Sequence, residues 1–265
     1  MTDLAPNANT APLFQSERLR EIANLTRRAQ RVEVAELAER FNVTTETIRR
    51  DLSELQAQKV VRRVHGGAVP WESVGFEPLL SVRDDLQDAE KRRLAERAVL
   101  ELPDTGSIII DSGSTLYRFA EAIPAACDLH AVTNSLAIAQ LLAAHETIEA
   151  TVVGGKVRKN TMAMVDATAI AAIEPLSVDT LFISSDGASI EQGLTTPYSE
   201  ESHLKQAMIR AARRVVALID HTKVGTDHFT RFATWSDIDL LVTTEEVDSD
   251  FVRGVEALGT SVELA

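Results

Sequence analysis

The chain has 265 residues, one cysteine and a formal net charge of −13. This length favours two domains at roughly 150 residues each, and the single cysteine, Cys127, excludes a fold held by internal disulfides. No apolar run approaches the ~18 residues of a membrane span, and residues 1–15 lack the features of a signal peptide, so we expect a cytoplasmic protein that contacts no membrane.

The charge is divided unevenly along the chain. Taken alone, a net charge of −13 argues against a nucleic-acid binder, because a phosphate backbone attracts a positive surface. Residues 1–70, however, hold 11 Lys+Arg and 9 Asp+Glu, a net of +2, whereas residues 71–265 hold 16 and 31, a net of −15. This division predicts two parts with different partners.

The first part opens with a segment that has no hydrophobic period. Residues 1–15 carry two prolines and two asparagines and are expected to form a disordered tail. Leu19, Ile22 and Leu25 then recur at helical spacing and predict a first helix. Alternation over residues 31–34 is typical of a short strand, and a second helix follows it.

A third helix is predicted after a polar break. Thr44 is suited to cap its start, because a threonine hydroxyl accepts an exposed backbone N–H of the first turn. Ile48, Leu52 and Leu55 lie at i, i+4 and i+7 and predict one buried stripe. Thr45, Thr47 and the arginine pair that follows Ile48 then point wholly or partly outward.

A β ribbon follows the third helix, with a short β run at residues 60–64 and a glycine turn at residues 65–68. Short helices, a tight turn, an arginine-bearing helix and a ribbon are typical of a winged helix-turn-helix, which we predict for residues 16–70. Such a third helix reads base edges in the major groove of DNA. The alternative is a solvated charged face on a structural helix. The predicted DNA contacts are Thr44, Thr45, Thr47, Arg49, Arg50, Arg62, Arg63 and His65.

Two motifs in this part resemble the DeoR family of bacterial transcription regulators. Residues 47–52, Thr-Ile-Arg-Arg-Asp-Leu, resemble the family's TIRRDL signature, and residues 63–68, Arg-Val-His-Gly-Gly-Ala, resemble its R-x-H-G-G-A ending. Gln58 and Lys59 stand where the family pattern usually has a glycine. The resemblance implies a regulator that binds double-stranded operator DNA. We interpret Asp51 as a structural residue that holds Arg50 or a neighbouring backbone.

The second part alternates short apolar strands with helices. A linker at residues 71–87 precedes it, and residues 88–265 are predicted to form an α/β domain with a mostly parallel sheet. The predicted strands are residues 107–111, 130–133, 149–153, 180–184, 215–220 and 240–243, and the predicted helices include residues 115–123, 136–144 and 200–212.

Polar loops follow five of these strands, where a parallel sheet binds its ligands. In the loop at residues 111–115, glycine permits close approach, hydroxyls donate hydrogen bonds and a helix start favours an anion, which suits a phosphate group. Lys156, Lys205 or Lys223 would add positive charge, and Asp111 and Asp186 would accept hydrogen bonds from sugar hydroxyls. The alternative is a set of ordinary strand–helix turns. The predicted effector contacts are Asp111, Ser112, Gly113, Ser114, Thr115, Thr133, Asn134, Ser135, Gly154, Gly155, Asp186, Gly187, Lys205, Asp220 and Lys223.

The second part also resembles the C-terminal sensor domain of the DeoR family. The matching pieces are residues 90–91, 111–115, 133–135, 154–155 and 193–195, and Asp220 with Lys223. The resemblance covers about residues 16–245 and implies a fold similar to ribose-5-phosphate isomerase and a phosphorylated sugar as effector. Asp166 lies in a segment where the family more often has a glycine, which makes it a candidate for altering ligand choice.

Three functions compete. The first is a transcription regulator, a repressor relieved by a sugar phosphate, that binds paired half-sites as a homodimer or homotetramer. The second is a sugar-phosphate isomerase-like enzyme fused to a DNA-binding domain, with Asp111 and Asp186 as candidate bases. Ser189 stands where the resembling isomerases carry a second acid, which argues against catalysis. The third is an architectural DNA binder. The six histidines show no metal-ligand spacing, so no metal and no cofactor is expected.

Overall fold

The computed structural model describes residues 14–29, 32–58, 60–64, 66–70, 87–159 and 161–265. The chain divides into two compact units between residues 86 and 87. His65, nearly all of the expected tail and nearly all of the expected linker lie outside the described residues. The first helix already begins at Gln15, within the segment expected to be tail.

The first unit combines helices with a small antiparallel sheet. Its elements are α1 (Gln15–Ala29), β1 (Val32–Glu33), α2 (Val34–Arg40), α3 (Thr45–Ala57), β2 (Val61–Val64) and β3 (Gly67–Pro70). The strand order is β1-β3-β2, which is the winged helix-turn-helix arrangement that the sequence predicts. Ile22, Leu37, Ile48 and Leu52 belong to one buried cluster, so the predicted stripe of α3 does face the core.

Strand β3 starts at a residue expected to lie in a turn. Gly67 pairs with both Glu33 and Val64, in the middle strand of the sheet. A Cβ atom at this position would lie 1.9 Å from the carbonyl oxygen of Val32. Glycine is therefore required here because two backbones approach closely, and not because of a turn.

The second unit is an α/β domain built on a fully parallel sheet of seven strands, in the order β15-β14-β12-β9-β4-β5-β6. All six predicted strands are present, with ends that shift by up to three residues, and β15 is an addition. In chain order its elements are α4 (Asp88–Val99), β4 (Thr105–Ile110), α5 (Ser114–Ala122), β5 (Asp128–Thr133), α6 (Leu136–Leu142), β6 (Ile148–Val152), β7 (Val157–Arg158), β8 (Ala163–Met164), α7 (Ala167–Ile173), β9 (Val178–Ile183), β10 (Gly187–Ser189), β11 (Gly193–Thr196), α8 (Ser199–Ala211), β12 (Ala212–Ile219), β13 (Thr230–Ala233), β14 (Leu240–Thr243), α9 (Ser249–Ala257) and β15 (Ser261–Leu264).

Both faces of the parallel sheet are buried. Along β4, Ile108 and Ile110 belong to one hydrophobic core, whereas Ile109 between them belongs to the other. Phe119 of α5 packs on Phe182 of β9 with ring centroids 4.2 Å apart. This double burial explains why the strands read as continuous apolar runs rather than as alternating ones.

Two antiparallel additions accompany the main sheet. Strands β10, β11 and β13 form one small sheet, and β7 and β8 form a hairpin. Both follow strands of the main sheet and therefore lie near its carboxyl edge, where a ligand would bind. Among the helices of the described residues, none combines the length and apolar character needed to cross a bilayer.

Candidate functional site

The start of α3 is fixed by a threonine cap. The Thr47 N–H donates to Oγ1 of Thr44 at 3.1 Å, and the two hydroxyl oxygens lie 2.9 Å apart. Thr44 therefore has the structural role expected from its sequence position, and its hydroxyl is already engaged within the helix.

The outward face of α3 carries the predicted DNA contacts. Thr45, Arg49 and Arg50 are exposed. The Arg49 guanidinium lies 3.4 Å from a carboxylate oxygen of Glu46, an exposed pair that holds it loosely. Cationic side chains on the open face of this helix have the arrangement needed to enter a groove of DNA.

The wing is joined to α3 through Arg63. Its Nη1 donates to Oγ of Ser53 at 2.8 Å, and its backbone N–H donates to Oε1 of Gln56 at 3.0 Å. Arg63 thus lies beside the recognition helix, as its assignment to a shared DNA-facing surface requires. The side chain of Arg62 and all of His65 fall outside the described residues.

Asp51 holds a different partner from the one expected. Its side chain is buried and accepts hydrogen bonds from Nε and Nη2 of Arg18, at 2.6 and 3.3 Å. The structural role interpreted for Asp51 is therefore present, but its partner is Arg18 of α1 rather than Arg50 or a neighbouring backbone.

Lys205 joins the carboxyl ends of two strands in the second unit. Its Nζ forms an ion pair with Asp111, which follows β4, and donates to the carbonyl oxygen of Ser184, which follows β9, at 2.9 Å. Both ionic side chains are buried. Each charge balances the other, so the pair brings no net positive charge to a phosphate, while Oδ1 of Asp111 lies on the side away from this contact, 3.5 Å from Oγ of Ser112.

The helix after β4 begins without a side-chain cap among the described residues. Its N-cap, Gly113, has φ of 124°, a conformation that favours glycine, and a Cβ atom at this position would meet no other atom within 4 Å. Ser114 and Thr115 are buried in its first turn. The start of a helix without a side-chain cap leaves backbone N–H groups that can bind an anion, and the anion site at residues 111–115 stays a prediction.

The loop after β5 has mainly local roles. The Ser135 N–H donates to Oγ1 of Thr133 at 3.1 Å, and Oγ of Ser135 accepts from the Ile138 N–H at 3.4 Å. Asn134 differs, because its Nδ2 donates to the Met164 carbonyl oxygen while its buried Oδ1 has no hydrogen-bond partner among the described residues. The ordinary-turn alternative thus describes Thr133 and Ser135, and Asn134 retains an unused acceptor.

Asp166 caps α7. Its carboxylate accepts from the N–H groups of Thr168, Ala169 and Lys156 at 2.9 to 3.1 Å. The Ala169 N–H, together with the other two, holds the pKa of Asp166 below its usual value. A Cβ atom on Gly155 would lie 2.7 Å from this carboxylate, so Gly155 is the partner that lets the cap approach its loop.

Asp220, after β12, is a buried carboxylate that accepts hydrogen bonds from Thr222. Burial alone would raise its pKa, but Lys223, the hydrogen bonds from Thr222 and the charge of Lys91 together hold the pKa of Asp220 below its usual value. Lys91 is a buried residue of α4. The sequence indicated Lys91 only as part of a family motif. A lysine in a helix carries no local signal that it will be buried near Asp220, which lies 129 residues further along the chain.

His221 links the same loop to α4. Its Nδ1 lies 2.7 Å from Oε2 of Glu90. Glu246 lies nearby, and one side-chain N or O atom from each of His221, Glu90 and Glu246 lies within 4.8 Å of the other two. Histidine spacing along the chain did not indicate this grouping. Arg93 donates two hydrogen bonds to Glu246, at 2.7 and 2.9 Å, and already balances its charge.

A polar network follows β9. Oγ1 of Thr196 donates to Oδ2 of Asp186 at 3.0 Å and lies 3.2 Å from Oε2 of Glu201. Arg158 forms an ion pair with Glu201 and stacks on the Tyr198 ring, 3.8 Å from its centroid. The sequence predicted only Asp186 from this group, because the other members come from β7, β11 and α8.

Gly187 and Ser189 have roles in packing. A Cβ atom on Gly187 would lie 2.3 Å from the carbonyl oxygen of Thr226. Ser189 accepts the Gln192 N–H at 3.0 Å through Oγ, and its carbonyl oxygen accepts Nε1 of Trp235 at 2.8 Å. Ser189 therefore closes a turn and holds the indole of Trp235.

Comparison with known proteins extends over both units. Residues 18–74 match the DeoR-like helix-turn-helix domain, and residues 86–245 match the DeoR C terminal sensor domain. The chain is 34% identical over 250 residues to the HTH-type transcriptional regulator GlpR of Haloferax volcanii, covering 94% of this chain and 98% of that protein. It is 30% identical to the HTH-type transcriptional repressor GlcR of Bacillus subtilis, covering 94% of this chain and 97% of that protein.

Among solved structures, the chain is similar to ribose 5-phosphate isomerase A from Neisseria gonorrhoeae, with 21% identity, a TM-score of 0.38, and coverage of 53% of this chain and 55% of that one. The two domain matches together span nearly the whole chain, and they describe regulators of transcription rather than enzymes. The chain therefore belongs to the DeoR family of transcription regulators, with an N-terminal DNA-binding domain and a C-terminal sensor domain.

Proposed function

We propose that this protein represses carbohydrate-metabolism genes, and that a phosphorylated sugar bound at the carboxyl edge of its parallel sheet releases it from operator DNA. The observation that supports the effector-binding part of this proposal is the start of α5, which has no side-chain cap. It lies at the carboxyl edge of the parallel sheet, as do Lys91 and Lys223. Helix α4, which carries Lys91, packs against both α5 and β12. Backbone N–H groups, hydroxyls and two lysines together are suited to a phosphate.

The sugar itself would lie toward the ends of β5 and β9. The unused Oδ1 of Asn134 and the carboxylates of Asp186 and Glu201 are hydrogen-bond acceptors, and sugar hydroxyls are donors that match them. Hydrogen-bond acceptors at one end of the site and phosphate-binding groups at the other favour a ligand that carries both hydroxyl groups and a phosphate. GlcR of Bacillus subtilis is described as a repressor, which supports repression as the outcome.

On the DNA side, α3 would enter the major groove with Arg49 and Arg50, while Arg63 and the wing lie along the backbone. One such module contacts few bases, so we propose a homodimer or homotetramer on paired half-sites. The protein would act in the cytoplasm, where its operator and its metabolite occur together.

Helix α4 would carry the signal between the two functions. It begins at Asp88, directly after the boundary between the units, and its first turn holds both Glu90 and Lys91. A ligand that attracts Lys91 would stabilise one conformation of this turn more than another. Only such a difference lets an effector shift DNA affinity, and the effect is reciprocal.

A thermal-shift screen of the full chain tests the effector half. Fructose 1-phosphate, fructose 6-phosphate and other sugar phosphates are compared with the free sugars and with inorganic phosphate. A sugar phosphate at a hundredfold excess over its Kd should stabilise the chain by ~2.7 kcal/mol. The proposal requires that this shift disappear in Lys223→Met. A shift that survives in this variant, or one produced equally by the free sugars, would contradict the phosphate cradle.

A further inference from the structure

A buried ion pair joins the recognition helix to α1. Asp51 is 1% exposed and Arg18 is 8% exposed. Nε and Nη2 of Arg18 each donate to a different carboxylate oxygen of Asp51, at 2.6 and 3.3 Å. Two parallel hydrogen bonds between planar groups fix direction as well as distance.

The position of Asp51 on α3 gives this fork a particular consequence. Residues of an α-helix follow one another by about 100°, so Asp51 borders the buried stripe of Ile48 and Leu52, while Arg49 and Arg50 lie on the open side. An apolar stripe packs acceptably over a range of helix rotations, because hydrophobic contact has no direction. The fork with Arg18 adds a directional contact, which favours one rotation of α3 over neighbouring ones.

Open space and an exposed polar contact lie near this pair. A groove of about 290 Å³ opens beside it, lined by residues from the starts of α1 and α3, including Gln15, Thr47 and Arg50. Another polar contact between the two helices, from Nε2 of Gln15 to Oε2 of Glu54 at 2.9 Å, is exposed. A buried ion pair is also a poor source of stability compared with apolar side chains of similar size. Orientation of α3 is a contribution that the pair can make without adding net stability.

We propose that Arg18 is a positioning residue for DNA recognition, which through Asp51 sets the rotation of α3 and so aims Arg49 and Arg50 at the bases. This inference rests on the proposed entry of α3 into the major groove. It assigns a function to a residue outside both family motifs, on a helix that presents none of the predicted DNA contacts.

The test replaces the pair by apolar side chains in the full chain, as the double variant Arg18→Met with Asp51→Leu. The probes are a duplex selected by the wild type from a random-sequence pool and a scrambled duplex of equal length. We expect a Tm equal to or above that of the wild type, an affinity for the selected duplex reduced about tenfold or more, and unchanged affinity and salt dependence on the scrambled duplex. Wild-type affinity for both duplexes would overturn the inference.

Further variants keep the test decisive. If the double variant fails to fold, Asp51→Asn retains the shape and one acceptor, and wild-type affinity in this variant would equally overturn the inference. Equal loss on both duplexes with a shallower salt dependence would assign Arg18 to a phosphate contact instead. Glu54→Ala, which removes the exposed contact between the same helices, should bind as the wild type does.

Arg49→Ala separates this inference from the proposed function. Loss of affinity for the selected duplex in Arg49→Ala, with none in the double variant, would reject the positioning role alone. Wild-type affinity in both would reject the entry of α3 into the groove, and with it the basis of the inference.

Discussion

The imidazole Nδ1 of His221 lies 2.7 Å from Oε2 of Glu90, and this contact joins the loop after β12 to the first turn of α4. The loop holds Asp220 and Lys223, and the turn holds Lys91. Because α4 is the first element after the boundary between the units, the contact connects the proposed phosphate cradle to the chain that leads back to the DNA-binding unit.

Glu90→Gln should therefore weaken communication more than binding. The amide cannot form the charged contact with His221, so the factor by which a saturating sugar phosphate lowers operator affinity should fall towards one. The affinity for operator DNA measured without ligand should stay close to that of the wild type. Glu149→Gln is a matched control, because it alters an exposed His–Glu pair, with His130 at 3.7 Å, on β5 and β6. An equal loss of the sugar-phosphate effect on operator affinity in both variants would contradict a specific role of Glu90 in communication.

Arg49→Ala should weaken binding to the selected operator by ~1–3 kcal/mol, because a base-reading arginine makes a bidentate contact that alanine cannot replace. Its ion pair with Glu46 is exposed and contributes little to stability, so the Tm should change little. Affinities for the operator and for single-base variants of it, measured by fluorescence anisotropy, check this prediction. A uniform loss on all sequences would instead mark a phosphate contact.

Ser114→Ala and Lys223→Met should abolish the response to sugar phosphate and leave operator binding intact. Ser114 supplies a hydroxyl at the start of α5, and Lys223 supplies charge in the loop after β12, at the same carboxyl edge of the sheet. Lys156→Met is the control, because Lys156 is exposed and lies 3.4 Å from Glu200, so its charge is directed to that carboxylate. Normal induction in Ser114→Ala and Lys223→Met would show that the ligand binds elsewhere.

The pH dependence of the free energy of unfolding should show the contribution of Asp220 to stability. Its native pKa lies below the value of about 3.9 expected in the unfolded chain, so the ionised form stabilises the fold above that pH, and this contribution is lost as the pH falls through the native pKa. Asp220→Asn should be less stable than the wild type at pH 7, and the difference should shrink below about pH 4. Urea unfolding at several pH values measures it, with the exposed Asp128→Asn as control. A difference that is constant with pH would contradict the assignment.

The sequence predicted the architecture because its strands are buried on both faces. Runs such as Ile108–Ile110 stand out as apolar, and all six predicted strands are found in the parallel sheet. Strand β15 lacks this signal, since most of its residues are exposed at the edge of the sheet. The additions β10 and β11 are short and rich in glycine and threonine, so no periodicity marks them.

The site was less predictable, because its residues gain their roles from partners far along the chain. The sequence offered Asp111 and Lys205 as separate ligands, yet 94 residues apart they form one ion pair. Asp51 was expected to act within its own helix, and its partner is on α1. Pairings of this kind depend on how elements pack, which local spacing does not encode.

Under the proposed function, a sugar phosphate and operator DNA each weaken the binding of the other to this protein. The most direct measurement is the affinity of the full chain for its selected operator duplex, titrated with each sugar phosphate that stabilises the protein in the thermal-shift screen. At least one of them should lower operator affinity, and operator DNA should lower the affinity for that sugar phosphate by the same factor. Operator affinity that stays unchanged under saturation with every stabilising sugar phosphate would contradict the account.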